Sequence, residues 1–259
     1  MSPGPGYGSG HRPPRFFLRP QRLHHEAPTP WAELDPDNIH RLRRVLRLGP
    51  GAQVLLFDGS GQEYLAEVTE SRPTRVELKI LSRQKPRVES PLRLTLAQAL
   101  LKGNAFDRVL TDATELGVQA IVPMVTARTV VQPRPREEEA KVRRWEKILE
   151  AAAAQSGRVK VPRVDYPAPF AELLKRDWAG LKLLLWEGAP SDASLPATKT
   201  REVVLLVGPE GGFAESEVEA AKEAGFQLWS LGPRILRADT AGPAALAILQ
   251  ARFGDIQLK

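Results

Sequence analysis

At 259 residues, 42% of them hydrophobic, the chain can bury the core of one large domain or two modest ones. It has no cysteine, which excludes disulfides, thiolate nucleophiles, cysteine-type zinc sites and pyrimidine C5 methylation through a covalent cysteine adduct. A formal charge of +6 favours an anionic partner such as RNA or DNA, and no apolar run reaches membrane-spanning length.

Residues 1–14 are mostly Gly, Pro, Ser and Arg, with almost nothing to bury, and are expected to be a disordered tail. No hydrophobic signal region opens the chain, so a soluble, cytoplasmic protein is expected. Arg15-Phe16-Phe17-Leu18 reads as a short strand. Asp35-Pro36-Asp37 then opens a helix with Ile39, Leu42, Val45 and Leu46 on one face, stopped by Gly49-Pro50-Gly51. The other face carries His40, Arg41, Arg43, Arg44 and Arg47 with no acid nearby, which suits a phosphate-facing surface, although a solvated surface has the same composition. Strands are expected over 52–57, 62–69 and 74–82, with a hairpin turn at Asp58-Gly59-Ser60-Gly61. A helix among several short strands suggests a small β-barrel module over residues 15–85, and the polar, proline-containing stretch 84–91 marks a domain boundary.

From residue 90 to 257 the pattern changes to alternating strands and helices, an α/β domain with a parallel sheet. Leu92, Leu94 and Leu96 begin a strand. After Lys102-Gly103-Asn104 comes a helix with Phe106, Val109, Leu110, Ala113 and Leu116 inward. Residues 118–122 form a buried strand, 136–156 a long helix, and 181–186 another buried strand that ends at Glu187.

The last stretch is the most informative. Val203 to Val207 is entirely apolar, as a strand covered on both faces should be. It turns at Gly208-Pro209-Glu210-Gly211-Gly212, runs through a helix over 216–224, and returns as a strand over 226–231 to a second glycine turn, Gly232-Pro233-Arg234. Ligands of open α/β sheets bind beyond the carboxyl ends of strands, and glycine turns let backbone approach them closely. These glycines would serve equally to turn the chain. Asp239 and Thr240 read as N-cap residues of a last helix running to about Phe253. The pattern implies a site walled by backbone, with Glu210, Arg234, Arg237 and Asp239 as its charged rim.

Two long motifs, Gly208-Pro209-Glu210-Gly211-Gly212-Phe213 and Leu231-Gly232-Pro233-Arg234-Ile235-Leu236-Arg237-Ala238-Asp239-Thr240-Ala241, resemble those of the ribosomal RNA small subunit methyltransferase E family. Glu115-Leu116-Gly117-Val118, Gln155-Ser156-Gly157-Arg158, Arg15-Phe16-Phe17 and the stretch from His40 to Leu48 also fit. The family usually has Glu at position 239 and Lys at 112, where this chain has Asp239 and Asp112.

The resemblance implies an α/β fold: a SPOUT-type methyltransferase domain over 90–257 with a deep trefoil knot, preceded by a PUA-like β-barrel over 15–85. It implies methylation of N3 of a uridine in 16S rRNA, in the small ribosomal subunit or its precursor, with S-adenosyl-L-methionine as methyl donor, and a homodimer formed through the C-terminal domain. The cofactor would lie against Trp186, Glu187, Val207, Gly208, Glu210, Gly211, Gly212, Leu231, Gly232, Ile235, Leu236 and Arg237. Arg234 and Arg237 would steady negative charge on the base, and Glu210 or Asp239 would take its proton; Asp239 would equally serve as a helix cap. Arg15, His40, Arg41, Arg44, Arg47 and Lys102 would grip RNA, and no metal is expected. A ribose 2′-O-methyltransferase of the same superfamily and a non-catalytic ribosome-assembly factor are the alternatives.

Overall fold

The computed structural model describes residues 13–24, 26–132, 135–190, 195–196 and 200–257, so all of the expected tail but Pro13 and Pro14 lies outside the described residues. Two compact units emerge. The first holds the described residues up to Glu89 together with Ala153–Lys160; the second holds Ser90–Ala152 and the described residues from Val161 onward. The inclusion of 153–160 in the first unit has no counterpart in a simple division at residues 85–90.

The first unit is built on six strands: β1 (Arg15–Phe17), β2 (Leu23–His24), β3 (Trp31–Glu33), β4 (Gln53–Phe57), β5 (Glu63–Ser71) and β6 (Val76–Gln84). Their order is β1-β4-β5-β6-β3-β2, antiparallel except for the parallel pair β1 and β4. Phe16, Leu18, Leu34, Leu42, Leu56 and Tyr64 fill its core. The phenolic O–H of Tyr64 donates to Asp58 Oδ2 at 3.0 Å, and burial first, then the Asp58 charge, pushes its pKa up to about 12. A pKa raised above its unfolded value of 10.0 stabilises the fold below that pH and ceases to do so as pH rises through about 12. Denaturant unfolding should therefore show stability falling between pH 10 and 12, and Tyr64→Phe should flatten that decline.

Helix α1 (Pro36–His40) runs on into a π-helical turn, Arg41–Val45, in which the Leu46 N–H donates to the Arg41 carbonyl. An i→i+5 step rotates each residue by less than an α-helical step, so the apolar stripe slips off the core after Leu42. Ile39 and Leu42 are buried as expected, but Val45 and Leu46 face solvent at 64% and 36% exposure. Arg47 ends the turn with φ +55°, in the left-handed region.

The second unit carries seven parallel strands: β7 (Arg93–Ala99), β8 (Ala120–Val125), β9 (Arg163–Val164), β10 (Ala168–Pro169), β11 (Leu181–Leu185), β12 (Glu202–Val207) and β13 (Gln227–Trp229). Six follow the order β10-β8-β7-β12-β11-β13, with β9 also paired to β8. The helices are α2 (Ala105–Glu115), α3 (Pro135–Ser156), α4 (Phe170–Leu174), α5 (Glu215–Glu223) and α6 (Ala238–Phe253). Period-2 alternation sorts each strand between two cores. Leu94, Leu96, Leu183, Val203 and Leu205 join Phe106, Trp145 and Leu246; Ala97, Ala99, Leu184, Val204 and Leu206 join Phe170, Val218 and Phe226. The sheet is therefore covered on both faces, and its inner strands can be continuously apolar.

Sheet order positions the site. β12, β11 and β13 are consecutive neighbours and all parallel, so the loops leaving their carboxyl ends lie side by side. α6 follows the edge strand β13 yet packs against β7, β12 and α2.

Candidate active site

The three loops enclose a cavity of about 340 Å³ lined by Leu185, Trp186 and Glu187 after β11, by Val207–Glu210, Gly212 and Phe213 after β12, and by Ser230–Gly232 and Arg234–Asp239 after β13. Leu101, Ala105 and Ala241 complete the wall. The volume falls within the usual range for small-molecule sites. Much of the surface is backbone. Gly212 holds φ +67°, and a Cβ there would stand 3.1 Å from the Glu187 carboxylate. Gly232, at φ +107°, turns the third loop.

The floor is tied together beneath the cavity. Gln98, fully buried at the end of β7, donates through Nε2 to the carbonyls of Gly208 (3.3 Å) and Ala99 (3.4 Å). Its Oε1 has no hydrogen-bond partner among the described residues. A Cβ on Gly242 would come within 2.9 Å of that oxygen, so glycine at this point of α6 sets how closely helix and sheet approach. Behind the second loop, Glu217 accepts from the N–H groups of Ala127 (2.8 Å) and Ala214 (2.9 Å), which ties the start of α5 to the loop after β8.

Eleven of the twelve residues expected against the cofactor line this cavity; Gly211 does not. Its carbonyl accepts from Arg128 Nη1 at 2.9 Å, and a Cβ there would meet the Arg128 side chain, so it faces the supporting loop instead. Arg234 and Arg237 both lie at the rim and are exposed. Glu210 is at the rim too, and its Oε1 accepts the backbone N–H of Lys102 at 3.0 Å, which fastens the loop before α2 to the glycine turn. Asp239 lies inside the first turn of α6 rather than at its cap, a position held by Arg237 with no side-chain cap bond. Asp239 accepts from Arg108 Nη2 at 2.6 Å and contacts Arg237 at 3.4–3.5 Å. Burial pushes the Asp112 carboxyl above the ordinary carboxylate range; Arg108 opposes that shift and Asp239 adds to it. Leu101, Ala105 and Phe213 were not singled out from sequence as site residues, because apolar side chains carry no chemical signature there.

The residues expected to grip RNA divide. His40, Arg41 and Arg44 lie exposed on α1 and its π turn, Arg47 is exposed just after it, and Lys102 is exposed in the second unit. Arg15 is not available to RNA: its side chain is 5% exposed. Its guanidinium donates to Glu63 Oε2 (2.8 Å) and to the carbonyls of Ala153 (3.1 Å), Ala154 (3.1 Å) and Arg158 (3.0 Å).

Comparison with known proteins decides the family. Residues 88–250 match the model of an RNA methyltransferase domain and residues 34–81 that of an RNA methyltransferase PUA domain. The ribosomal RNA small subunit methyltransferase E of Synechocystis is 36% identical over 92% of this chain and 77% of its own length. That of Bacillus subtilis is 32% identical over 91% and 95%. The chain belongs to the ribosomal RNA small subunit methyltransferase E family. Among solved structures, the Neisseria gonorrhoeae member bound to S-adenosylmethionine superposes with a TM-score of 0.84 at 36% identity, covering 95% of this chain and 100% of that one. A Legionella pneumophila protein solved with the same cofactor gives a TM-score of 0.88 at 32% identity with the same coverage. Membership makes the chain a methyltransferase that uses S-adenosylmethionine, with a PUA-like N-terminal domain and an α/β catalytic domain.

Proposed function

We propose that the chain transfers the methyl group of S-adenosylmethionine to N3 of a uridine in 16S rRNA of the small ribosomal subunit, with the cavity at the ends of β11, β12 and β13 as its active site. The observation that carries the reading is the cavity: three strand-end loops enclose a space of cofactor size, walled by backbone and apolar side chains and rimmed by two arginines.

The residues present fit this cofactor. Gly208, Gly212 and Gly232 would leave it room and backbone polar groups, Leu231, Ile235 and Leu236 would offer apolar contact, and Glu187 and Glu210 would supply negative charge. When bound, the cofactor supplies an electrophilic methyl group on a sulfonium. Uracil N3 attacks poorly until its proton leaves. Arg234 and Arg237, both lining the cavity, would stabilise the charge spreading onto O2 and O4. We assign the proton to Glu210, since Asp239 is already held by the Arg108 guanidinium at 2.6 Å. The base must leave its stack to enter the cavity, and the exposed face from His40 to Arg47 in the first unit would hold phosphates of the RNA.

The same reading includes a closed PUA-like barrel in the first unit and a trefoil knot in the second, a reading supported by the return of α6 from the edge strand to the middle of the sheet. It includes a cytoplasmic homodimer joined through the C-terminal domain, supported by Ile248, an apolar side chain 43% exposed on α6.

The test is product analysis. Unmodified small-subunit RNA, incubated with the protein and S-adenosylmethionine, should yield N3-methyluridine on nucleoside mass spectrometry, at a site that stops primer extension yet remains open to alkaline cleavage. 2′-O-Methyluridine, which resists alkali, would show the sister reaction instead, and no transfer would leave an assembly factor. Arg237→Ala should lower kcat by about 100-fold while S-adenosylmethionine affinity, measured by calorimetry, changes little.

A further inference from the structure

We infer that Arg108 is a positioning residue of the proposed methyl-transfer site: by engaging Asp239 it keeps the Arg237 guanidinium turned to the cavity instead of closed onto that carboxylate. The inference rests on the function proposed above. Asp239 lies in the first turn of α6 with its side chain 9% exposed, and a carboxylate so covered needs a cation. Two guanidinium groups reach it. Arg108, from α2, bonds Oδ2 at 2.6 Å, a full charge-assisted bond. Arg237 precedes the helix and reaches only to 3.4 Å at Oδ1 and 3.5 Å at Oδ2, too long for strong pairing. Its side chain is 78% exposed and lines the cavity. A guanidinium two residues from a carboxylate needs little chain ordering to form a fork-to-fork pair with it. Occupation of Asp239 by Arg108 is what stands against that pairing.

The chain has aspartate at both 112 and 239. Arg108 is one helical turn before Asp112 on the same face of α2, and supplies the cation that Asp239 takes from that helix. Asp112 in turn feels the charges of both Arg108 and Asp239, as a group beside the pair must.

The experiment is steady-state methylation of small-subunit RNA, with S-adenosylmethionine affinity measured in parallel. Arg108→Ala should lower kcat about tenfold while cofactor Kd stays within about threefold of wild type. Arg108→Lys should keep most of the rate. The deciding variant is Arg108→Ala/Asp239→Asn: with the carboxylate neutral, Arg237 is released, and kcat should return to within about threefold of wild type. Arg108→Ala/Asp112→Lys should recover likewise, because a cation again reaches Asp239. The inference is overturned if Arg108→Ala turns over at the wild-type rate, or if adding Asp239→Asn leaves the single variant as slow as before. It is also overturned if the loss is confined to melting temperature and cofactor affinity, since Arg108 would then only staple α2 to α6. A readout independent of activity separates this inference from the functional reading. The Arg237 Nε–H resonance, assigned by its loss in Arg237→Lys, should be exchange-exposed in the wild type and become protected in Arg108→Ala. If the wild type makes no N3-methyluridine, the functional reading fails; an Arg237 signal unchanged by Arg108→Ala overturns the inference whatever the reaction proves to be.

Discussion

Arg15→Ala should destabilise the first unit by about 3–5 kcal/mol, the cost of breaking a buried ion pair on one side only. Arg15 is 5% exposed and its partner Glu63 1% exposed. Removing the guanidinium takes the cation of this pair away from the buried Glu63 carboxylate, which also accepts from Gln84 Nε2 at 2.8 Å. It also strips donors from the carbonyls of Ala153, Ala154 and Arg158, which terminate α3 and the turn after it. Those carbonyls explain why replacing Arg15 and Glu63 together by apolar residues, often harmless for an isolated buried pair, should still cost stability here: three acceptors at and just after the end of α3 would lose the donors that Arg15 supplies. Glu89 makes the matching attachment from the other side, accepting from Arg158 Nη2 (2.8 Å) and from the N–H groups of Val159 and Lys160. Chemical denaturation followed by circular dichroism would measure the change. A variant that unfolds like wild type but binds small-subunit RNA weakly would return Arg15 to the phosphate-gripping set. Arg44→Glu, on an exposed face, should show the opposite behaviour: unchanged unfolding and weaker, less salt-dependent RNA binding.

The contrast between Arg15 and Arg44 shows what was legible in the sequence. Local periodicity reported local facts well. The run Val203–Val207 is a strand buried on both faces, and Phe106, Val109, Leu110 and Ala113 all point inward from α2. The glycine turns lie at strand ends because a parallel strand must stop and turn there, and the charges between them had few places to go but the rim. What failed was set by partners far away in sequence. Arg15 meets Glu63 across 48 residues and the Arg158 carbonyl across 143, and nothing near Arg15 distinguishes a stapling arginine from a phosphate-binding one. Arg108 was not singled out for the same reason, since Asp239 is 131 residues on. The order β7-β12-β11-β13, which brings three loops together, is likewise non-local. Val45 and Leu46 failed differently: a π turn of five residues shifts the helical phase, and hydrophobic periodicity assumes that the phase is constant.

Gly212→Trp should abolish S-adenosylmethionine binding, and Gly212→Ala should weaken it by about tenfold. The two substitutions separate two demands made on one residue. Gly212 sits at φ +67°, where any L side chain costs roughly 1–2 kcal/mol, and that cost is common to both variants. The second demand is space. A Cβ at Gly212 would stand 3.1 Å from Glu187 Oε1, on the line between the loop after β12 and the loop after β11, so a methyl group must push the carboxylate aside by a few tenths of an ångström. An indole has to enter the cavity itself, whose volume is about 340 Å³, and would take up space that a bound cofactor needs. Gly51→Ala is the control for backbone strain: it has φ +86°, no heavy atom within 4 Å of its Cβ position, and lies in the first unit. Calorimetric titration should find Gly51→Ala binding like wild type, Gly212→Ala binding weakly and Gly212→Trp not at all, with all three still folded. Equal loss in Gly51→Ala and Gly212→Ala would trace the effect to general destabilisation. Retained binding in Gly212→Trp would move the cofactor out of the strand-end cavity, and with it Arg234, Arg237 and Glu210 out of the chemistry.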